Sequence, residues 1–460
     1  MAGKLTAADL EAELSTLDGW ALAPATSEDE LVHNLSGIYH TLAGLEFSNY
    51  DMHGVAAGAP RMMARLFNTR MALRDRLAAW QAEGLLTPVV QRGLRDLFRA
   101  MRYASDMLGE AALGFRTLNG HSAAPFAFRG GNMSTLINPR FNEGRDLPFQ
   151  SGDVLLVRGR HHNSAAIARI GDVDSQYSHV CIVYVDPKGY HHCVEVLIEE
   201  GGIIKPLEEA LAHDLGRAIV LRHRDAALAQ RAAFIAHEHV KQSLSRYGKP
   251  ILYDFTMQND GYKRLFCSKL IRLAFDKATE GKTMLSSFPT RLHMTNRDFF
   301  ERIGVTADKT FAPGDMELEP DFDVIAEWQD YRLTAALRHQ DIVMDKLFAW
   351  MDADNLRFKE TFLIGMISRF GRVAAGFSNT IKSMIASVVP KVPPHMPRKT
   401  IATIVMLHKT AEPMVEELQA LERERIDVFA HPLHPHEIGE YLERWREKTG
   451  PDVGYLSPSA

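Results

Sequence analysis

Cysteine is scarce in this 460-residue chain: Cys181, Cys193 and Cys267 are the whole supply, and no two stand in a Cys-x-x-Cys spacing. That excludes a dense disulfide framework and fits a reducing compartment. A basic surplus is missing as well. Lys and Arg number 53 against 58 Asp and Glu, a net of -5, which argues against a dedicated nucleic-acid binder. No apolar run approaches the length of a membrane span. The opening MAGKLTAADLEAELSTLDGW has early acids and no apolar core. The expectation is therefore cytoplasmic synthesis without a secretory signal, with any export by a non-Sec route. Neither a phosphate-binding GxxxxGK[ST] nor a GxSxG elbow occurs, so nucleotide hydrolysis and serine-hydrolase chemistry lack their parts. Internal repeats and low-complexity tracts are absent too.

What is present is a globular composition, 46% hydrophobic and 24% charged, in a chain long enough for two or three units. The first stretch reads as helical. Leu31, Leu35, Ile38, Leu42 and Leu45 form a one-face stripe, and Val90, Leu94, Leu97, Met101 and Leu108 form another. The texture changes at GGNMSTLINPRFNEGRDLPFQ, which reads as a linker. Short strands follow in GDVLLVRG, HVCIVYV, YHHCVEVLI and RAIVLRH, interleaved with helices. The expected organisation is a helical region over 1–128, a linker over 129–150, a mixed core over 151–325 and a second helical region over 326–460.

The turn DPKG, Asp186 to Gly189, sets a register. Proline suits the first central position of a type I turn, and glycine the left-handed position of a G1 bulge. A hairpin closed by Asp186 opposite Tyr190 puts Cys181 across from Glu195 and His179 across from Leu197. His179, Cys181 and Glu195 then share one face of the sheet, and His192 lies on the other. A histidine beside a carboxylate is a general base with an orienter, although a strand-end histidine also serves as a satisfied structural residue. Cys267, in RLFCSKLI, stands in the first turn of an apolar-periodic helix, where the dipole favours thiolate. The ordinary alternative is a small buried hydrophobe, the reading given to Cys181 and Cys193.

The order of these pieces (GDVLLVRG, then Ser178-His179-Val180, Glu195, Gly248-Lys249-Pro250, Tyr253-Asp254 and finally Phe266-Cys267-Ser268) resembles the circularly permuted papain-like hydrolases of the NlpC superfamily. The likeness is greatest to the YiiX/YebB-like group, with lecithin:retinol acyltransferase a distant relative. It covers roughly Ser151 to Asp323. Cys181 and Lys269 depart from the common pattern. The resemblance implies an α+β fold, a permuted papain-like core of a small antiparallel sheet plus helices, flanked by helical regions. It implies Cys267 as nucleophile, His179 as base and Glu195 as the third polar residue. Tyr253 and Ser268 are candidates for oxyanion or substrate binding. No metal or organic cofactor is expected.

HPLHPHE, with His431, His434 and His436, reads as a solvated loop rather than a metal site. The segment 362–388 is either a long core helix or an amphipathic membrane-surface helix. Its apolar residues recur at helical spacing, and no acid occurs between Glu360 and Glu412 while seven Lys and Arg do. On the membrane reading Phe362, Phe370 and Phe377 contact lipid, flanked by Arg372 and Lys382. The function expected from all this is a cysteine hydrolase or acyltransferase working through an acyl-enzyme, on ester-linked acyl groups of membrane lipids. In that setting it would be peripheral to a membrane, as a secreted bacterial effector. The alternatives are an amidase or endopeptidase on cell-wall peptides or protein, and an inactive papain-like binding module.

Overall fold

The computed structural model describes residues 4–115, 128, 132–141, 146–172, 175–212, 215–282, 285–292, 294–359 and 396–459. The segment 362–388, with its lipid-contact candidates, lies outside them. Five helices come first: α1 (Ala7–Leu22), α2 (Glu28–Ala43), α3 (Met52–Asp75), α4 (Leu77–Ala82) and α5 (Pro88–Ala112). Side chains of Thr6, Ser27, Asp51 and Thr87 cap α1, α2, α3 and α5, giving exposed amides of the first turns acceptors. Every residue of the two apolar stripes read from the sequence is buried.

The central sheet has seven strands, all antiparallel, in the order β1-β9-β6-β2-β3-β4-β5. Chain order runs β1 (Thr135–Ile137), β2 (Val154–Gly159), α6 (His162–Arg169), β3 (His179–Val185), β4 (His191–Leu197), β5 (Gly201–Pro206), α7 (Leu207–Ala212) and β6 (Leu215–His223). Then come α8 (Ala226–Tyr247), α9 (Cys267–Ala278), β7 (Thr290–Arg291), α10 (Asp298–Ile303), β8 (Lys309–Thr310) and β9 (Phe322–Gln329). After these lie α11 (Thr334–Ala353), β10 (Leu356–Phe358), α12 (Arg398–Phe429), α13 (Pro435–Thr449) and β11 (Leu456–Pro458). This is the mixed α+β architecture expected. Two strand stretches exceed the sequence reading: β1 sits inside the segment read as a linker, and β9 continues to Gln329. The first forms one edge of the sheet, and the second lies between it and β6.

Alternation along the strands divides the sheet's faces. Val154, Leu156, Val180, Ile182, Val194 and Val196 pack against α8 and α9, while Leu155, Val157, Cys181, Val183 and Cys193 form the opposite core. Gly152 enters β2 at φ 95°, and a Cβ there would lie 2.5 Å from the backbone of Ala229. Only glycine allows α8 so close.

Helix α5 departs from the apolar reading. Arg95, Arg102, Asp106 and Glu110 are as buried as its leucines. Arg95 pairs with Asp315 at 2.9 Å and Asp106 with Arg217 of β6 at 2.7 Å. Arg102 pairs with Glu317, and Glu110 accepts from Arg338 of α11 at 2.9 and 3.1 Å. Charges that a helical wheel assigns to solvent instead tie the N-terminal helices to the sheet and to α11. Removing one partner strands the other in a dry interior, at a cost of about 3–5 kcal/mol. Asp106→Ala, which leaves Arg217 without its carboxylate, should therefore lower the unfolding free energy by about 3–5 kcal/mol in a urea titration. Adding Arg217→Met to it should recover part of that loss. A single-variant loss under about 1 kcal/mol would mean that the pair does not hold these layers together.

Candidate active site

The β3–β4 turn closes as its residues dictate. Asp186 N–H donates to Tyr190 O at 3.0 Å, Gly189 N–H to Asp186 O at 2.9 Å, and Gly189 takes φ 85°. The ladder pairs Val185 with His191 and Ile182 with Val194, so Cys181 and Glu195 fall opposite each other in the register read from the sequence. His179 Nε2 lies 2.6 Å from Glu195 Oε2. His192 is on the other face, where its ring stacks against Tyr184 and it reaches Asp186.

Sequence reasoning missed Lys205. Its Nζ is 2.7 Å from Glu195 Oε1, because β5 pairs Lys205 with Cys193 and so places it on the Glu195 face. The signal was there in alternation, since Lys205 breaks an otherwise apolar GGIIKP strand.

Cys267 is the first residue of α9, buried at the end of β3 where His179 begins. Asp254 N–H donates to Leu265 O at 2.9 Å and Leu265 N–H to Leu252 O at 3.1 Å, which fixes the chain entering the helix. Lys269, the residue that departs from the family pattern, is fully buried, and its Nζ sits 2.8 Å from Asp254 Oδ2. That pair locks the first turn of α9 to the segment carrying Tyr253. The cap residue Phe266 supplies no side-chain acceptor, so the leading amides of the helix face the site uncapped.

Burial raises the Cys267 thiol pKa, yet hydrogen bonds from His179, Val180 N–H and Ser268 bring it below the ordinary value. Ser268 Oγ is 3.8 Å from the sulfur. Burial likewise opposes a charged His179, but its bonds to Cys267 and Glu195 outweigh that and hold its pKa well above the usual histidine value. Glu195, despite burial, is held down to about 2 by His179 and Lys205. These directions favour a thiolate–imidazolium pair with an ionised carboxylate behind it. Tyr253 is buried beside the sulfur, and burial followed by the Cys267 charge pushes its pKa well up, so it keeps its proton.

Two concavities meet at Cys267. A polar cleft carries His179, Glu195, Lys205, Ser178 and Glu199 among aliphatic side chains such as Leu197, Leu211 and Leu215. On the other side lies an apolar pocket walled by Ile170, Phe255, Phe299, Phe311, Ile404 and Leu407. Tyr253, Asn163, Ile167 and Glu199 line both.

Other candidates resolve differently. Among the described residues, Cys181, Cys193 and Glu195 bring possible metal-ligand atoms within 4.8 Å of one another. Glu195 already has His179 and Lys205 as its cations. The hydrogen bond that the Cys193 thiol donates to Cys181, then burial, pushes its pKa well above the usual value, which disfavours the thiolate a metal requires. The HPLHPHE stretch is a loop over 431–434 that ends as the cap of α13, and it is largely buried rather than solvated. His434 caps α13 with Glu437, His431 is buried against Pro432 O at 3.0 Å, and His436 pairs with Glu440 at 3.1 Å. His162 opens α6 and packs on His408, while His161 rims the polar cleft.

Residues 148–317 match the family described as permuted papain-like amidase enzyme, YaeF/YiiX, C92 family. This segment is a papain-like cysteine hydrolase domain of the YiiX-like kind. A solved structure, that of the metalloprotein yiiX from Escherichia coli O157:H7, is similar over 39% of this chain and 98% of its own length. The identity is 19% and the TM-score 0.31. No curated protein matches the sequence.

The electrostatics of the YiiX-like site have a testable sign. Raised by Glu195 and the thiolate, the His179 imidazolium should keep its proton above the ordinary histidine range in a nitrogen-15 NMR titration. Glu195→Gln removes a negative charge and should move that titration to lower pH. Lys205→Met removes a positive charge and should move it higher. Shifts of the same sign in both variants would contradict the assigned geometry.

Proposed function

We propose that this protein cleaves acyl bonds through a covalent intermediate on Cys267. The observation that carries the reading is His179, 2.6 Å from Glu195 and lining one accessible cleft with Cys267. The thiolate attacks the acyl carbonyl carbon and its electrons move onto oxygen. The Cys267 N–H at the uncapped start of α9 and the Tyr253 hydroxyl donate to that oxyanion, with Ser268 beside the sulfur. As the tetrahedral centre collapses, His179 gives its proton to the departing amine or alcohol and a thioester remains. Water then attacks with His179 as base, and the carboxylic acid leaves as the thiolate is restored. Glu195 keeps the imidazole oriented, and Lys205 keeps Glu195 charged.

The family description supports an amide as the scissile bond, in a peptide-type substrate such as a cell-wall stem or a protein. A second reading takes an ester-linked acyl group of a membrane lipid, with water or another acceptor. The apolar pocket beside Cys267 favours it, and so does the acid-poor, cationic composition of 362–388. Peripheral membrane contact through Phe362, Phe370, Phe377, Arg372 and Lys382, and action as an exported bacterial effector on a target membrane, belong to this second reading.

Cys267→Ala and His179→Ala should each reduce turnover by at least about a thousandfold while the melting temperature holds, and their combination should cost little more. Glu195→Gln should lose less, and Cys181→Ser and Cys193→Ser should keep most activity. Mass spectrometry of cell-wall peptides and of phospholipid vesicles incubated with the protein separates the readings. New amino termini mean amidase action, and free fatty acid or lysolipid means lipid cleavage. Unchanged material bound equally by wild type and Cys267→Ala would mean a binding module. On the membrane reading, Phe370→Asp with Phe377→Asp should abolish vesicle binding with little change in melting temperature. A large drop in melting temperature, with no vesicle binding by wild type, would remove that segment from the argument.

A further inference from the structure

The two concavities that meet at Cys267 differ in chemistry. On one side stand Lys205, Glu195 and Ser178, with Glu199 lining both. The other is walled by aromatic and aliphatic side chains from four parts of the chain: Ile170 after α6, Phe255 and Met257 before α9, Phe299 and Phe311 around α10, and Ile404 with Leu407 on α12. Helix α12 lies beyond the 148–317 stretch that matches the family, so this wall is completed by an element outside the matched segment. Met396, just before α12, is buried in the same wall.

We propose that the apolar pocket seats the aliphatic chain of a fatty-acyl group whose carbonyl is presented to Cys267, while the leaving group lies in the polar cleft. The proposal rests on the acyl-transfer reading above and names its acyl half; amide and ester both remain open as the bond. A peptide threaded through the pocket would carry amide N–H and C=O groups that need partners in a dry site. The wall offers them few: Thr400 Oγ1 is spent on Arg302 O at 3.2 Å, which leaves the buried Thr310 Oγ1 as an unpartnered hydroxyl in an otherwise largely apolar wall. A hydrocarbon chain needs none and gains from every methylene it buries. The nucleophile at the junction then fixes orientation, apolar acid side inward and polar amine or alcohol side outward.

Alkyl methanethiosulfonates test this without any turnover. The thiolate attacks the sulfenyl sulfur, the S–S bond to Cys267 forms, and methanesulfinate departs with the electron pair of the broken S–S bond, leaving the alkyl chain beside Cys267. Rates at Cys267, followed by peptide mapping and divided by the rates with glutathione, should rise at least tenfold from methyl to decyl. Each methylene that enters the pocket contributes up to about fourfold. Ile404→Trp, which fills the pocket, should cut the decyl-to-methyl ratio by about tenfold. As a measurement on the unaltered chain, dodecanoate should protect Cys267 from iodoacetamide at concentrations where acetate does not. A flat or falling chain-length series, or equal protection by both acids, overturns the proposal. If Cys267-dependent turnover persists with a flat series, only the chain pocket fails. A rising series without turnover upholds the pocket and removes the hydrolase reading.

Discussion

Glu195 is a carboxylate kept charged in a place that water barely reaches, and it stays so because two cations hold it, His179 at 2.6 Å and Lys205 at 2.7 Å. Burial alone would protonate it. Held as an anion, it favours the imidazolium of His179, and the imidazolium in turn favours the thiolate of Cys267. The charges alternate from Lys205 to the sulfur, each stabilised by the next. Loss of any member changes the state of all the others, which is why the geometry of three strands and one helix start has to be kept within narrow tolerances.

The scaffold supplies that tolerance in two ways. Locally, the Asp186–Gly189 turn fixes the β3–β4 register, and the Lys269–Asp254 pair pins the first turn of α9. At longer range, the N-terminal helices are joined to the sheet and to α11 through buried arginine–carboxylate pairs, not through apolar contact alone. Such pairs add little net stability over a hydrophobic substitute, but they penalise any other alignment of the layers. Their directionality suits a structure whose site is assembled from segments far apart in the chain.

The parts legible in the sequence were those governed by local rules. The DPKG turn set the hairpin, and alternation then put Glu195 on the His179 face; the apolar stripes of α2 and α5 marked their buried sides. Lys205 escaped because the β4–β5 register depends on the turn at 198–200, whose residues do not dictate a pairing. The buried charges of α5 escaped because a helical wheel assigns charge to solvent unless the partners are known, and Asp315, Arg217 and Arg338 lie hundreds of residues or at least a hundred away. The apolar pocket was invisible for the same reason. Ile170, Phe255, Phe299 and Leu407 share no local pattern, and only the tertiary fold brings them to one wall.

The site that results has two sides and a charged junction, with an ion pair poised where an apolar pocket and a polar cleft meet. That junction requires Cys267 to be a thiolate because His179 makes it one. Iodoacetamide alkylation of Cys267 across a pH series, read by peptide mapping, measures that state directly. Cys267 should react as a thiolate well below the pH at which a free cysteine ionises, about 8.5, and His179→Ala should move its profile back to or above that value. A Cys267 profile that follows an ordinary thiol in the wild type, or one that His179→Ala leaves unmoved, would contradict it.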